Sequence, residues 1–208
     1  MKAFIYLGGG VCEEGYIEEP HEGDLVIAAD SGYRNAIRMG VSPSVVVGDF
    51  DSFREPLPTE IETIQVPTEK DFTDSQLAVD VALQRGADSL VLVGGLDGRL
   101  DHTLSNLAIL ENLWHGGVRA LITDGRNRVR YIENTSELVM NLGYPYLSII
   151  AADQKVKGVS IDGCKYPLKK ATLRRDYQFA VSNEIQKNCA LISVRRGGIF
   201  IIESRDAK

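Results

Sequence analysis

The chain has 208 residues, of which 44% are hydrophobic and 25% charged, with a formal net charge of −6. This is the make-up of an ordinary globular protein with room for one domain or two small ones, and its acidic balance excludes a general nucleic-acid binder, which needs clustered Lys and Arg against phosphate backbones. No apolar run approaches the roughly 18 residues of a membrane span.

Met1-Lys2-Ala3-Phe4 runs straight into a strand pattern, so no signal peptide is expected. Residues 3–7 form a short apolar run that stops at Gly8-Gly9-Gly10. Residues 25–29 form a second, ending at Asp30, and residues 45–47 a third, ending at Gly48-Asp49. A helix is expected over residues 73–85, with Leu77, Val81 and Gln84 on one side, Thr73 as its N-cap and Gly86 just past its end. Residues 90–93 give a fourth strand, ending at Gly94-Gly95. A second helix is expected over residues 101–114, carrying Leu104, Leu107, Ala108 and Leu110 and stopping at Gly116-Gly117. Residues 120–123 give a fifth strand. Continuous apolar runs, rather than alternating ones, suit parallel strands covered on both faces, and the alternation of strand and helix reads as a right-handed parallel α/β sheet.

Near residue 125 the character changes. Short strands are expected at residues 129–132, 137–140, 146–150, 156–161, 190–194 and 199–202, separated by turn residues such as Asp162-Gly163 and Arg196-Gly197-Gly198. No further helix is expected. The reading is therefore a parallel-sheet α/β nucleotide-binding domain over residues 1–127, followed by a small all-β sandwich domain over residues 128–208. Three widely spaced cysteines, Cys12, Cys164 and Cys189, show no CxxC pattern and suit unpaired thiols in a reducing, cytoplasmic setting.

The chemistry-bearing residues cluster in the first part. In open parallel sheets, ligands bind beyond the carboxyl ends of the strands, and Asp30, Asp49 and Gly94 all fall there. Asp49 and Asp51, one residue apart after an apolar strand, can share a Mg²⁺, which takes one or two carboxylates together with substrate phosphates; turn chemistry is the plainer alternative. Asp74 opens a helix, where its charge suits the dipole, and becomes a third candidate for the metal site. Gly94-Gly95-Leu96-Asp97-Gly98-Arg99 lies between a strand and a helix. Its glycines let backbone amides approach phosphate, and Arg99 can neutralise it. The loop lacks the Gly-Lys-Ser or Gly-Lys-Thr of a Walker A motif. Asp101 and His102 are acid-base candidates, with helix capping and a backbone-bonded histidine as the plainer alternatives. A metal-bound polyphosphate, most simply a nucleoside triphosphate, is the ligand these features share.

Taken together, the motifs Ala29-Asp30-Ser31-Gly32, Val47-Gly48-Asp49-Phe50-Asp51-Ser52, Lys70-Asp71-Phe72-Thr73-Asp74, Gly98-Arg99-Leu100-Asp101-His102-Thr103-Leu104-Ser105-Asn106 and Val181-Ser182-Asn183-Glu184 resemble the thiamine pyrophosphokinase family. The match is in order and spans residues 29–184. The resemblance implies transfer of pyrophosphate from ATP to the thiamine hydroxyl, giving thiamine diphosphate and AMP, with Mg²⁺ and a homodimer whose active site lies between subunits. It implies that Asp30, Asp49, Asp51 and Asp74 form the acidic metal and phosphate site. Arg99 and Asp101 would belong to the ATP loop, and Ser182 and Asn183 would approach thiamine. The proton acceptor stays open among Asp71, Asp74 and Asp101. Three positions depart from the family pattern: Ser31, Asp97 and Ala180. Asp97 places a negative charge beside the expected phosphates and puts the path of that loop in question. Two other readings stand beside this one, a pyrophosphokinase for a different alcohol such as a hydroxymethylpterin, and a non-catalytic nucleotide or thiamine binder.

Overall fold

In the computed structural model, residues 1–50, 56–67, 69 and 71–207 are described; Asp51, Ser52 and Lys70 of the motifs lie outside them. The chain divides into two compact units, one of Met1–Glu13 with Ile17–Gly125, the other of Glu14–Tyr16 with Arg126–Lys208.

In the first unit, β1 (Lys2–Tyr6), β2 (Leu25–Ala29), β3 (Val45–Gly48), β4 (Glu62–Gln65), β5 (Ser89–Val93) and β6 (Arg119–Thr123) pair in parallel in the order β4-β3-β2-β1-β5-β6. The apolar runs of β1, β2, β3 and β5 are buried almost residue for residue, as strands covered on both faces must be. Strand β4 was not expected from the sequence. Its Glu-Thr-Ile-Gln sequence is mostly exposed at the sheet edge, so it lacks the apolar run that marks the others. Helix α1 (Gly32–Arg38) was also not expected. It is only 7 residues long, opens on glycine and carries little apolar periodicity.

Helix α2 (Asp74–Gln84) starts as the sequence suggests: Thr73 caps it, its Oγ1 accepting a hydrogen bond from Gln76 N at 3.2 Å. It buries Ala78, Val79, Val81 and Ala82. Helix α3 (Leu100–His115) corrects the expected face. Asn106, Ile109, Leu110 and Leu113 are buried, whereas Leu104 is 57% exposed and Ala108 lies outside the core. Asp101 is not its N-cap, because the helix begins one residue earlier and Arg99 occupies that position. At the centre of the unit, Tyr6 is fully buried, and its hydroxyl has no hydrogen-bond partner among the described residues. Burial, helped by the charge of Glu19, pushes its pKa up to about 12.

The second unit is all β, as expected. Strands β7 (Asn127–Glu133), β9 (Tyr146–Ala151) and β13 (Gly198–Ser204) run antiparallel in the order β7-β13-β9. Strands β8 (Ser136–Met140), β10 (Lys155–Asp162), β11 (Leu168–Arg174) and β12 (Cys189–Ser193) form a four-stranded antiparallel sheet in the order β11-β10-β12-β8. Burial alternates along β9 and β13, and Val139, Val156, Val159, Ile161 and Ile192 turn inward from the other sheet. Strand β11 was missed in the sequence because Leu-Lys-Lys-Ala-Thr-Leu-Arg carries two adjacent lysines and only one buried residue. Buried Glu203 on β13 accepts from Arg128 at 3.0 Å and from Arg130 on β7, so its charge is paired inside the unit. The three cysteines are free thiols, and burial pushes Cys164 up to about 11. Among the described residues, no helix is long and apolar enough to cross a membrane.

Candidate active site

The chain order of the parallel sheet reverses between β1 and β5: β2, β3 and β4 extend to one side of β1, and β5 and β6 to the other. Such a reversal leaves a crevice beyond the strand carboxyl ends. A cavity of about 640 Å³ lies there. Leu7, Gly8 and Gly9 follow β1 into its wall, Asp30 and Ser31 follow β2, and Asp49 follows β3. Phe72, Thr73, Asp74 and Ser75 come from the start of α2, and Gly95, Asp97 and Arg99 from the loop after β5. His102 and Asn106 complete the wall from α3.

Local chemistry sets these loops. Gly32 must be glycine because a Cβ there would stand 2.0 Å from the Tyr6 carbonyl oxygen. Gly94 has φ +97, and a Cβ would stand 2.7 Å from the Leu7 carbonyl oxygen, so the loops after β1 and β5 touch through bare backbone. Buried Asn35 on α1 donates from Nδ2 to the carbonyls of Leu7 at 2.7 Å and Gly9 at 3.0 Å. Buried Asn106 donates from Nδ2 to the Gly95 carbonyl at 2.8 Å. Asp30 has φ 45 and Phe50 has φ 59. Left-handed backbone at non-glycine residues is a strained state found where surroundings over-determine it, often at functional sites.

Asp97 has a visible role. Its Oδ2 accepts a hydrogen bond from Gly10 N at 3.3 Å, bracing the β5 loop against the β1 loop. Arg99 meets Asp101 in a two-pronged pair, Nε to Oδ1 at 3.1 Å and Nη2 to Oδ2 at 2.5 Å. The hydrogen bonds from Arg99 hold the Asp101 carboxyl below the usual carboxylate range, and Asp101 in turn holds Arg99 up. Both side chains are well exposed, so the pair contributes little to stability. It does tie up the one guanidinium in the cavity wall among the described residues.

Of the residues singled out in the sequence, Asp30, Asp49, Asp74, Gly95, Arg99 and His102 line this cavity. Asp71, Gly94, Gly98 and Asp101 lie near it in the chain but outside its wall. Asp51 lies outside the described residues. Ser182 and Asn183 belong to the second unit. Ser182 is exposed with φ 55, and its N–H donates to Ser148 Oγ at 3.0 Å. The Asn183 side chain is buried and already engaged: Oδ1 accepts from Tyr166 N and Glu184 N at 2.9 Å each, and Nδ2 donates to the Tyr166 carbonyl at 2.8 Å. It therefore fixes the backbone on either side of residues 166 and 184.

Sequence reasoning missed Asn35 altogether and quoted Asn106 only as part of a motif. Each is a polar residue at a buried helical position, which is the signal that would have drawn attention to them.

Among the described residues, no group of three His, Cys, Asp or Glu side chains is close enough to hold a metal unaided. The donor set still fits Mg²⁺. Asp30, Asp49 and Asp74 offer oxygen donors only, and this ion usually takes one or two carboxylates while substrate phosphates and water complete its shell.

Two family models match the chain: the thiamin pyrophosphokinase catalytic domain over residues 19–122 and the thiamin pyrophosphokinase vitamin B1 binding domain over residues 133–199. A thiamine pyrophosphokinase of Bacillus subtilis is 27% identical over 198 residues, covering 92% of this chain and 91% of that protein. A thiamin pyrophosphokinase of Caenorhabditis elegans is 26% identical over 170 residues, covering 77% of this chain and 70% of its own length. The crystal structure of the Bacillus subtilis thiamine pyrophosphokinase superposes with a TM-score of 0.86 at 25% identity, covering 100% of both chains. With both of its domain models matched in order along most of its length, this chain belongs to the thiamin pyrophosphokinase family.

Proposed function

We propose that this chain transfers the β,γ-pyrophosphoryl group of ATP to the hydroxyl of thiamine, releasing AMP and thiamine diphosphate. The observation that carries the reading is the composition of one cavity, where four carboxylates, two glycine loops and an arginine line the reversal point of the parallel sheet. A hydroxymethylpterin acceptor gains no support, since the compared relatives bear thiamine names.

In this reading, residues 1–127 hold ATP and residues 128–208 help to select thiamine. The backbone around Gly8, Gly9 and Gly95 cradles phosphate oxygens, and Arg99 leaves Asp101 to bind the triphosphate. Asp30, Asp49 and Asp51 would hold Mg²⁺, which supplies charge neutralisation for the polyphosphate. The thiamine oxygen forms a bond to the β-phosphorus as the bond from that phosphorus to the AMP oxygen breaks. The hydroxyl proton must then pass to a base. Of Asp71, Asp74 and Asp101, Asp74 alone lines the cavity. We therefore assign the proton to Asp74. His102 stands in the wall as a donor to phosphate. The positive thiazolium ring is tolerated by an acidic crevice. Ser182 contacts thiamine, and Asn183 positions the segment that carries it. The molecule is further read as a cytoplasmic homodimer with the active site between subunits.

The test is incubation with ATP, Mg²⁺ and thiamine, with products separated by chromatography. AMP and thiamine diphosphate should appear in equal amounts. ADP with thiamine monophosphate would overturn the assignment of the attacked phosphorus, and light scattering showing a monomer would overturn the dimer.

A further inference from the structure

The second unit carries a cavity of its own, about 600 Å³, on the four-stranded sheet. Lys157, Lys170 and Arg195 line it together with the hydroxyls of Ser136, Ser160 and Ser193, and among the described residues no acidic one does. Among the described residues, none of these three cations meets a carboxylate within ion-pair distance. Leaving three like charges uncompensated around one hollow costs repulsion, so an anion there would relieve it.

The strand irregularities converge on this place. The pairing of β10 with β11 shifts register twice, between Lys157 and Val159 and again between Val159 and Ile161. At the first shift Gly158 is the extra residue, with φ +69, and a Cβ there would stand 2.7 Å from Arg195 Cβ. Glycine thus lets the arginine stem cross the strand. At the second shift Lys170 adopts φ 49, and its N–H donates to Ser160 Oγ at 3.0 Å. A lysine in left-handed backbone is strained. Both bulges aim basic side chains into the same hollow, a known use of bulges. Ser136 Oγ donates to Ser193 Oγ at 2.9 Å, holding two hydroxyls on the opposite side.

We propose that this cavity is a binding site for a small phosphate-bearing anion, with a diphosphate the best fit, and that it needs no divalent metal. Three cations match the multiple negative charge of a diphosphate better than that of a monophosphate. The four hydroxyls lining it, Thr172 included, supply the remaining donors. A concave hollow favours a compact anion over a polymer. This inference does not depend on the reaction assigned to the first unit.

The test is isothermal titration of the full chain with inorganic pyrophosphate in EDTA, where a metal-dependent site stays silent. Saturable binding at one site per chain is expected. Lys170→Gln and Arg195→Gln should each weaken it about tenfold or more, since each removes a charge-assisted hydrogen bond. Gly158→Ala should weaken it as well by displacing Arg195. Lys187→Gln removes an equal charge at an exposed position outside the cavity and should leave affinity within about twofold. Thermal melts of each variant separate lost binding from lost folding. ADP and thiamine diphosphate, titrated in the same buffer, tell whether the diphosphate comes from a nucleotide or a vitamin ester, and tighter binding of either supports the site. Absence of binding would overturn the proposal. So would equal losses in Lys170→Gln and Lys187→Gln, or competition by heparin alone, because each means diffuse charge rather than a site.

Discussion

Residues 1–125 hold eight basic and 21 acidic side chains, and residues 126–208 hold 15 basic and eight acidic. The formal charges are therefore −13 and +7, and the modest −6 of the whole chain conceals both. Each part contains a hollow of similar size, one with Asp30, Asp49 and Asp74 in its wall, the other with Lys157, Lys170 and Arg195. On the proposed readings, the pair would illustrate two ways of handling phosphate. An acidic wall repels it until a divalent cation reverses the local sign. A basic wall attracts it directly but, among the described residues, offers no carboxylate to hold a metal or take a proton. Chemistry is thus expected in the acidic part and simple binding in the basic part.

The largest test of that contrast is the acidic wall. Asp49→Asn should lower turnover by roughly 100-fold or more, because charge stabilisation at such centres amounts to several kcal/mol. The melting temperature should barely change, since the residue lines an open crevice. Near-normal AMP formation in this variant would break the comparison. Chelation sharpens it: EDTA should abolish turnover while leaving pyrophosphate binding by the basic cavity intact.

A smaller effect is expected in the β unit. Asn183→Ala strands the Tyr166 and Glu184 backbone groups that its amide satisfies, and unpaired buried groups cost about 1–3 kcal/mol each at most. Denaturant titration should show that loss. Steady-state kinetics should show the KM for thiamine rising more than that for ATP. An equal rise in both would mean that the roles of the two parts are misassigned.

The Arg99–Asp101 pair gives a finer distinction. If Asp101 only restrains Arg99, Asp101→Asn should shift the KM for ATP by about two- to fivefold, the scale of an exposed ion pair, with kcat nearly unchanged. A collapse of kcat would instead make Asp101 the proton acceptor in place of Asp74.

The smallest effect concerns the core. Tyr6 has a pKa raised from its usual value of 10.0 to about 12. The folded state holds that proton more tightly, so the associated stability is complete below pH 10 and is lost as the pH rises towards 12. Tyr6→Phe should remove this alkaline loss and leave neutral stability near that of the wild type, because the hydroxyl has no hydrogen-bond partner among the described residues. Urea midpoints at pH 8 and pH 11 would decide it.

Much of this was legible in the sequence, where burial and chemistry leave direct marks. The apolar runs of β1, β2, β3 and β5 announced a covered parallel sheet, and their abrupt ends at glycine or aspartate lead into the cavity found beyond them. Polar edge strands such as β4 and β11 left no such mark, because an exposed strand needs no apolar residues. The α3 face was misjudged for a related reason. Leu104 invites burial, but the helix turns Asn106 inward to reach the Gly95 carbonyl. The cationic hollow was invisible as well. Its lysines and arginine are far apart in the chain and meet only through two register shifts that no local pattern encodes.

Asn35 and Asn106 have a further consequence for how the acidic cavity meets its ligand. Between them they clamp the carbonyls of Leu7, Gly9 and Gly95 before anything has bound. Fixing the backbone of a residue costs roughly 1–2 kcal/mol of conformational entropy, and glycine, with the widest freedom, has the most to lose. By restraining these glycine loops in the folded chain, the two asparagines move that loss from the binding event to the folding event. Calorimetry would see the transfer directly. Asn35→Ala should make nucleotide association entropically less favourable, while its enthalpy stays close to that of the parent chain.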